Sequence, residues 1–256
     1  MRRQSHARSD VGMCRVSNED AYWSDDELGL YVVADGMGGH AAGEVASAEA
    51  IDALVGMVQR GRANLERDVE TLVKSGTDEP DAMARIKRIF ESAVQNATYM
   101  VYGLADLDPE QYGMGTTISA LMIAADRAWI AHVGDSRIYM VRHGVATQLT
   151  EDHTLTAWQV RQGLISQEEA AQSPHRNVIT RAVGNREYVQ VDVQSLVVRE
   201  GDRFLVCSDG LHGYLEDDEV ALVLTLPGDD AVKRFVDLAN ERGGRDNITC
   251  IVIEVD

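Results

Sequence analysis

Cysteine is scarce, basic residues are outnumbered, and long apolar runs are missing. The 256 residues include three cysteines, Cys14, Cys207 and Cys250. An odd, sparse set without metal-ligand spacing argues against a disulfide framework or a thiolate metal site and predicts reduced thiols in the cytoplasm. Lys and Arg number 24 against 42 Asp and Glu, a formal net charge of -18, so a nucleic-acid backbone would be repelled rather than neutralised. Most of the carboxylates read as a solvated acidic surface; several remain for divalent cations. No apolar run approaches about 18 residues, so no membrane span is predicted. The basic start, residues 1–10, lacks the apolar stretch a secretory signal needs. A soluble cytoplasmic chain without a membrane partner is the expectation.

What is present is the composition of a globular protein, 45% hydrophobic, with no internal repeat and no low-complexity segment. LGLYVVA, residues 28–34, reads as a buried strand ending at Asp35. Residues 44–59 and a segment opened by Pro80 carry apolar residues at helical spacing. The polar stretch 61–79 between them reads as a flexible connection. Strands are predicted over 116–124, 127–133, 137–141, 189–198, 203–207 and 247–255, with tight turns at Ala125-Asp126 and His143-Gly144. Residues 154–184 look helical in pieces, and short helices are predicted over 217–226 and 229–242. Strands fall in adjacent groups rather than alternating with helices, which favours antiparallel sheets with helices outside.

Four acids stand at strand ends, where a rigid element presents a loop. Asp35 follows YVVA, Asp135 follows IAHVG, Asp209 follows FLVCS, and Asp246 precedes NITCIVI. Three of them adjoin glycine, which turns sharply and lets backbone approach an ion. Each Asp-Gly alone reads as a turn. If the ends converge, they form an oxygen-only cage suited to Mg²⁺, Mn²⁺ or Ca²⁺ rather than Zn²⁺. The run from Gly36 to Ala41 after a strand also fits a loose dinucleotide fingerprint. Against that reading, Asp35 would repel a pyrophosphate, and the residues about 20 positions on are helical rather than a second acid-tipped strand.

The ordered motifs Arg15-x-x-Asn18-Glu19-Asp20, Asp35-Gly36-Met37-Gly38-Gly39-His40, Met114-Gly115-Thr116-Thr117, Gly134-Asp135-Ser136-Arg137, Thr150-x-Asp152-His153, Ser208-Asp209-Gly210 and Asp246-Asn247-Ile248-Thr249 resemble the bacterial branch of the type 2C metal-dependent protein phosphatases, the PPM family. They run from residue 15 to 249. The resemblance implies an α+β fold, a four-layer α-β-β-α sandwich of two central antiparallel sheets flanked by helices, over a single catalytic domain, 1–256. It implies hydrolysis of phosphoserine and phosphothreonine in proteins by direct attack of water at a binuclear Mg²⁺ or Mn²⁺ centre. By position, Asp35 bridges two tightly bound ions. The Gly36 carbonyl joins it on the first, and Asp209 and Asp246 hold the second. Asp135, with Asp209, matches the ligand of a weaker third ion, Glu19 and Asp20 match acids that hold metal-bound waters, and Arg15 matches the arginine that grips phosphate.

Such a pair of ions activates water and shields phosphoryl oxygens, so no protein nucleophile is needed, and the arginine fork complements phosphate. One departure concerns the proton donor. Animal members place a histidine two residues after the bridging aspartate, where this chain has Met37, a feature of the bacterial branch. His40 is the nearest candidate donor and equally reads as structural; water at the ions is the other source. Arg137 reads as a structural ion-pair partner, and His132 and His153 as structural. Residues 154–183 correspond to a flap that sets substrate choice. The partners implied are phosphoproteins, including a separate serine/threonine kinase or its substrates, met by diffusion by a monomer.

Overall fold

Strand patterns that bury both faces build the centre of the molecule. The computed structural model describes residues 1–38, 42–216 and 218–256. One sheet contains β1 (Arg3–Asp10), β7 (Arg137–Arg142), β8 (Val145–Gln148), β10 (Arg203–Cys207) and β11 (Ile248–Val255), in the spatial order β1-β11-β10-β7-β8. The other contains β2 (Asp20–Asp25), β3 (Leu30–Met37), β5 (Ile118–Ala124), β6 (Arg127–Val133) and β9 (Asp192–Val197), ordered β2-β3-β5-β6-β9, with the short β4 (Gly115–Thr116) paired to β3. Every strand pair is antiparallel.

Side chains alternate between faces with period two, and three apolar layers result. Tyr31, Val33, Leu121, Ile123 and Ile130 meet Phe204, Val206, Ile251 and Ile253 between the sheets. The opposite faces, with Leu30, Val32 and Trp129 on one sheet and Leu205, Cys207 and Val252 on the other, pack under helices. On the second sheet lie α1 (Ala42–Ser75) and α2 (Pro80–Leu107). On the first lie α5 (Asp209–His212), α6 (Glu219–Val223) and α7 (Gly228–Glu241). The architecture is the expected α-β-β-α sandwich. Both expected hairpin turns form, with positive φ at Ala125, His143 and Gly144. Between Thr154 and Gly184 the chain carries two short helices, α3 (Leu155–Arg161) and α4 (Gln167–Gln172), the latter closed by a capping box between Ser166 and Glu169.

One expectation is corrected, and one unread segment proves structured. The stretch 61–79 is not a flexible connection: α1 runs on to Ser75, leaving only residues 76–79 before α2. Leu65, Val69 and Leu72 recur at helical spacing and are buried against the helical layer. The many charges sit on the other face, where Arg62–Glu66 and Lys74–Glu70 form i,i+4 pairs. Residues 3–10, to which the sequence reading assigned no element, form β1 along the whole of β11, from Arg3 opposite Val255 to Asp10 opposite Ile248. As an edge strand, β1 needs no apolar alternation, and polar side chains there discourage pairing with other chains. Among the described residues no helix is long and apolar enough to cross a membrane.

The packed second half of α1 has a measurable consequence. Leu72→Ala, at a position 2% exposed, is expected to lower unfolding free energy by roughly 2–5 kcal/mol. Arg62→Ala, on the solvated face, should change it by no more than about 0.5 kcal/mol. Urea titration of both variants checks this; a neutral Leu72→Ala would mean that the helix end is not part of the core.

Candidate metal centre

Topology brings the strand-end acids to one end of the sandwich. Cys207 of β10 lies opposite Cys250 of β11, so Asp209, just after β10, and Asp246, just before β11, emerge side by side. The chain passes from β6 in one sheet to β7 in the other through Gly134-Asp135-Ser136, and β7 begins at Arg137, opposite Cys207. Asp135 therefore joins the same end. In the second sheet Asp35 stands directly opposite Asp20, the first residue of β2; opposed residues share a face, and like charges there repel.

The electrostatics follow from that crowding. Burial first, then the charges of Asp20, Asp209, Asp135 and Asp246, push the Asp35 carboxyl well above its ordinary range. Burial raises Asp20 to about 7, partly offset by hydrogen bonds to its oxygens, and raises Asp135 to about 7, with Asp209 adding to the effect. Asp209 is raised by burial and by Asp246, and Glu19 chiefly by burial. One oxygen of Asp20 accepts from Ser208 Oγ at 2.8 Å, whereas Oδ1 is buried without a hydrogen-bond partner. Buried carboxylates are tolerable only when paired or bound to metal. An all-oxygen donor set with an orphaned oxygen fits hard divalent cations. Among the described residues, no three acid, imidazole or thiol groups are already arranged as a ready ligand set. Several of these oxygens are engaged by protein donors, as the Asp20–Ser208 bond and the Arg15 pair show.

Arg15 is half-exposed and donates from Nη2 to Asp246 Oδ2 at 2.7 Å. The other oxygen of Asp246 accepts from the Asn247 amide at 2.9 Å. Gly36 donates to the Glu19 carbonyl at 3.1 Å. A Cβ on Gly36 would come 2.1 Å from the Gly43 carbonyl oxygen and 2.5 Å from that of Glu19, so only glycine permits this approach. His40 lies outside the described residues.

Several supporting residues were given no role by the sequence reading, although Thr116, Thr117 and Asn247 stand in its motifs. Asn247 donates from Nδ2 to the carbonyls of Val11 (3.0 Å) and Ser17 (2.9 Å), while its Oδ1 accepts from the Glu19 amide at 2.8 Å. One amide side chain thus ties the loop carrying Arg15 and Glu19 to the start of β11. The Thr117 hydroxyl accepts from the Asp35 amide, and the Thr116 hydroxyl donates to the Asp35 carbonyl, both at 2.9 Å. His212, one helical turn after Asp209, donates from Nε2 to the Asp135 carbonyl at 2.9 Å. Burial and the nearby Arg137 depress its pKa to about 3. The only available signal for it was the i,i+3 spacing from Asp209.

Residues read as structural behave so. Arg137 grips both oxygens of Asp152, at 2.9 and 2.6 Å, and donates to the Tyr139 hydroxyl. Burial opposes both charges, yet the pairing prevails, raising Arg137 and lowering Asp152. His132, between Ser119 and the Glu151 carbonyl, is depressed to about 3 by burial and by His153. The His153 Nδ1 accepts from the Gly134 amide, so its proton lies on Nε2, facing Asp192. The two core thiols are no nucleophiles: burial pushes Cys250 up to about 12 and Cys207 higher still. A groove of about 960 Å³ extends from Asp135, Asp209 and Asp246 to Thr156, Arg161 and Arg176 of the 154–184 segment.

Comparison with known proteins adds independent findings. Residues 11–251 match the family model for protein phosphatase 2C. The chain is 37% identical over 252 residues to the serine/threonine protein phosphatase PstP of Mycobacterium tuberculosis, covering 97% of this chain but 44% of that one. It is 34% identical to a putative protein phosphatase 2C-type of Streptococcus pyogenes, covering 96% and 95% of the two chains. The structure superposes with a TM-score of 0.82, at 34% identity and over 99% of each chain, on the PstP catalytic domain solved in complex with two manganese ions.

The acid cluster dictates a pH dependence. Asp20 and Asp135 titrate near 7 when folded against about 3.9 unfolded. The folded state therefore binds more protons between those values, and this contribution to stability falls as pH rises from about 4 to about 7. In EDTA, thermal melts are expected to show a deficit at pH 8 relative to pH 5.5 that Asp20→Asn reduces and saturating Mn²⁺ removes. An Asp20→Asn variant with an unchanged deficit would contradict the electrostatic account.

Proposed function

The chain belongs to the protein phosphatase 2C family, and from that premise we propose that it hydrolyses phosphoserine and phosphothreonine esters in proteins, with water as the nucleophile, at a centre of two Mn²⁺ or Mg²⁺ ions. The observation that carries the reading is the convergence of Asp35, Asp209 and Asp246, with Asp20 and Asp135, where the two sheets meet. Asp35, the Gly36 carbonyl, Asp209 and Asp246 would hold the two ions; Asp135, with Asp209, would hold a weaker third; Glu19 and Asp20 would order water. When bound, such ions supply Lewis acidity that activates water and offsets charge on phosphoryl oxygens.

The protein's own groups position the rest. Asp246 uses one nitrogen of Arg15, and the remaining guanidinium donors can take phosphate oxygens at the rim. Asn247 holds the Arg15 loop in register with Asp246 through its three hydrogen bonds. His132, His153 and His212 are buried and committed to other partners, so none of them serves the leaving oxygen; His40 remains the sequence's candidate for that proton. Residues 154–183 act as a flap whose Arg161 and Arg176 line the groove beside the acids and influence substrate choice. The unit acts as one catalytic domain, a cytoplasmic signalling monomer that meets a kinase's substrates, or the kinase itself, by diffusion. Its three cysteines are all free, as a reducing compartment requires.

Turnover of p-nitrophenyl phosphate should vanish in excess EDTA, return with Mn²⁺ or Mg²⁺, and be almost lost in a folded Asp35→Asn variant. In the same assay Arg15→Ala should lower kcat/KM by roughly ten- to a hundred-fold, the equivalent of about 1.5–3 kcal/mol for a charged hydrogen bond. Much of that loss should appear in KM, with weaker inhibition by inorganic phosphate. Arg15→Lys should restore only part, because an ammonium lacks the planar fork. Full activity of Asp35→Asn in EDTA would refute the mechanism, and wild-type constants for Arg15→Ala would place the phosphate anchor elsewhere.

A further inference from the structure

The chain carries 18 more acidic than basic side chains, so most of its surface repels an anionic partner. One groove is an exception. It lies between α1 and α2, has a volume of about 500 Å³, and is lined by Arg60, Arg67, Arg85 and Arg88 together with the apolar Met57 and Ile89. Met57, Arg60, Asn64 and Arg67 follow one another at three- and four-residue intervals, as do Arg85, Arg88 or Ile89, and Ser92, so each set forms one stripe along its helix. The single acid in the lining, Asp68, is 1% exposed. It is engaged by Arg85, whose Nε and Nη2 both lie 2.9 Å from Oδ1. Among the described residues, Arg60, Arg67 and Arg88 have no carboxylate within salt-bridge distance. The neighbouring acids Glu66, Glu70 and Glu91 pair outward with Arg62, Lys74 and Lys87.

The floor of the groove is also open where packing does not require it. Gly61 sits inside α1, where glycine weakens a helix, yet an added Cβ would meet only Ile89 Cγ2, at 3.6 Å, an ordinary contact. The cations facing the groove are all arginines, whose forked donors match phosphate better than an ammonium does. Arg60 lies 18 residues along α1 from Ala42, about 27 Å at 1.5 Å per residue. The groove is therefore remote from the acid cluster.

We propose that this arginine groove between α1 and α2 is a docking site for a phosphorylated segment of a partner protein, holding one phosphorylated residue of a substrate while another reaches the acid cluster. The nature of the occupant rests on the phosphatase reading; the charge and shape of the groove do not. Docking through it would raise the effective concentration of a multiply phosphorylated substrate at the centre.

The test is fluorescence anisotropy in EDTA with a labelled Gly/Ser peptide carrying two phosphothreonines, and with the same peptide carrying glutamates in their place. The phosphopeptide should bind the wild-type chain more tightly than the glutamate peptide. Arg67→Glu/Arg88→Glu should weaken phosphopeptide binding roughly tenfold or more, and Arg67→Gln/Arg88→Gln should weaken it less. Both variants should turn over p-nitrophenyl phosphate with Mn²⁺ like wild type, which also shows them folded. Unchanged phosphopeptide binding by the folded variants would overturn the proposal, as would equally tight binding of the glutamate peptide. If the wild-type chain fails to hydrolyse p-nitrophenyl phosphate while the binding difference persists, the phosphatase reading falls and the phosphate-binding groove stands.

Discussion

The structure is organised around a repulsion. Asp20 and Asp35 face each other across β2 and β3, and Asp135, Asp209 and Asp246 arrive from the other sheet and from the link between the two. Apolar packing between the sheets, with Tyr31, Phe204 and Ile251 at its centre, fixes the ends of the strands and so forces the acids together. A hydrophobic core of this extent can hold an unfavourable arrangement that side-chain chemistry alone would disperse, and such locally costly features cluster at functional sites. A divalent cation bound there would turn that cost into affinity, because every carboxylate raised by its neighbours gains from a nearby positive charge.

Around the acids, apart from the Arg15–Asp246 pair, hydrogen bonds from uncharged groups hold position. Ser208 links the sheets by donating to Asp20 while accepting from the Thr249 amide. Asn247 secures the 11–19 loop, Thr116 and Thr117 secure the backbone of Asp35, and His212 secures that of Asp135. These groups add no formal charge; the Ser208 bond partly offsets the raised Asp20 carboxyl, and the others fix geometry without neutralising the acids. The arginines near the groove divide accordingly: Arg137 is consumed by Asp152, while Arg15 at the rim keeps donors to offer.

Much of this was legible in the sequence because the central strands bury both faces and read as continuous apolar runs ending in acids. The four strand-end aspartates were visible for that reason, and Arg137, His132 and His153 fell into the structural roles expected of them. The edges were not legible. β1 and β2 are polar strands whose pairing is supplied by their neighbours, and a period-two search finds nothing in RQSHARSD. The second half of α1 was obscured by its charges, although Leu65, Val69 and Leu72 carried the helical period. The roles of Asn247, although it stands in a motif, and of His212 could not be read from the sequence, since their partners, Val11, Ser17 and Glu19 in one case and Asp135 in the other, lie between 77 and 236 positions away.

The central claim is that the acids at the join of the two sheets hold a pair of divalent cations. Anomalous diffraction at the manganese edge from crystals grown with Mn²⁺ tests it directly. The account predicts two strong adjacent peaks, the Asp35 carboxylate between them, with Asp209 and Asp246 on one and the Gly36 carbonyl on the other. Density for neither ion there, with Arg15 still on Asp246 and manganese bound elsewhere on the acidic surface, would contradict it.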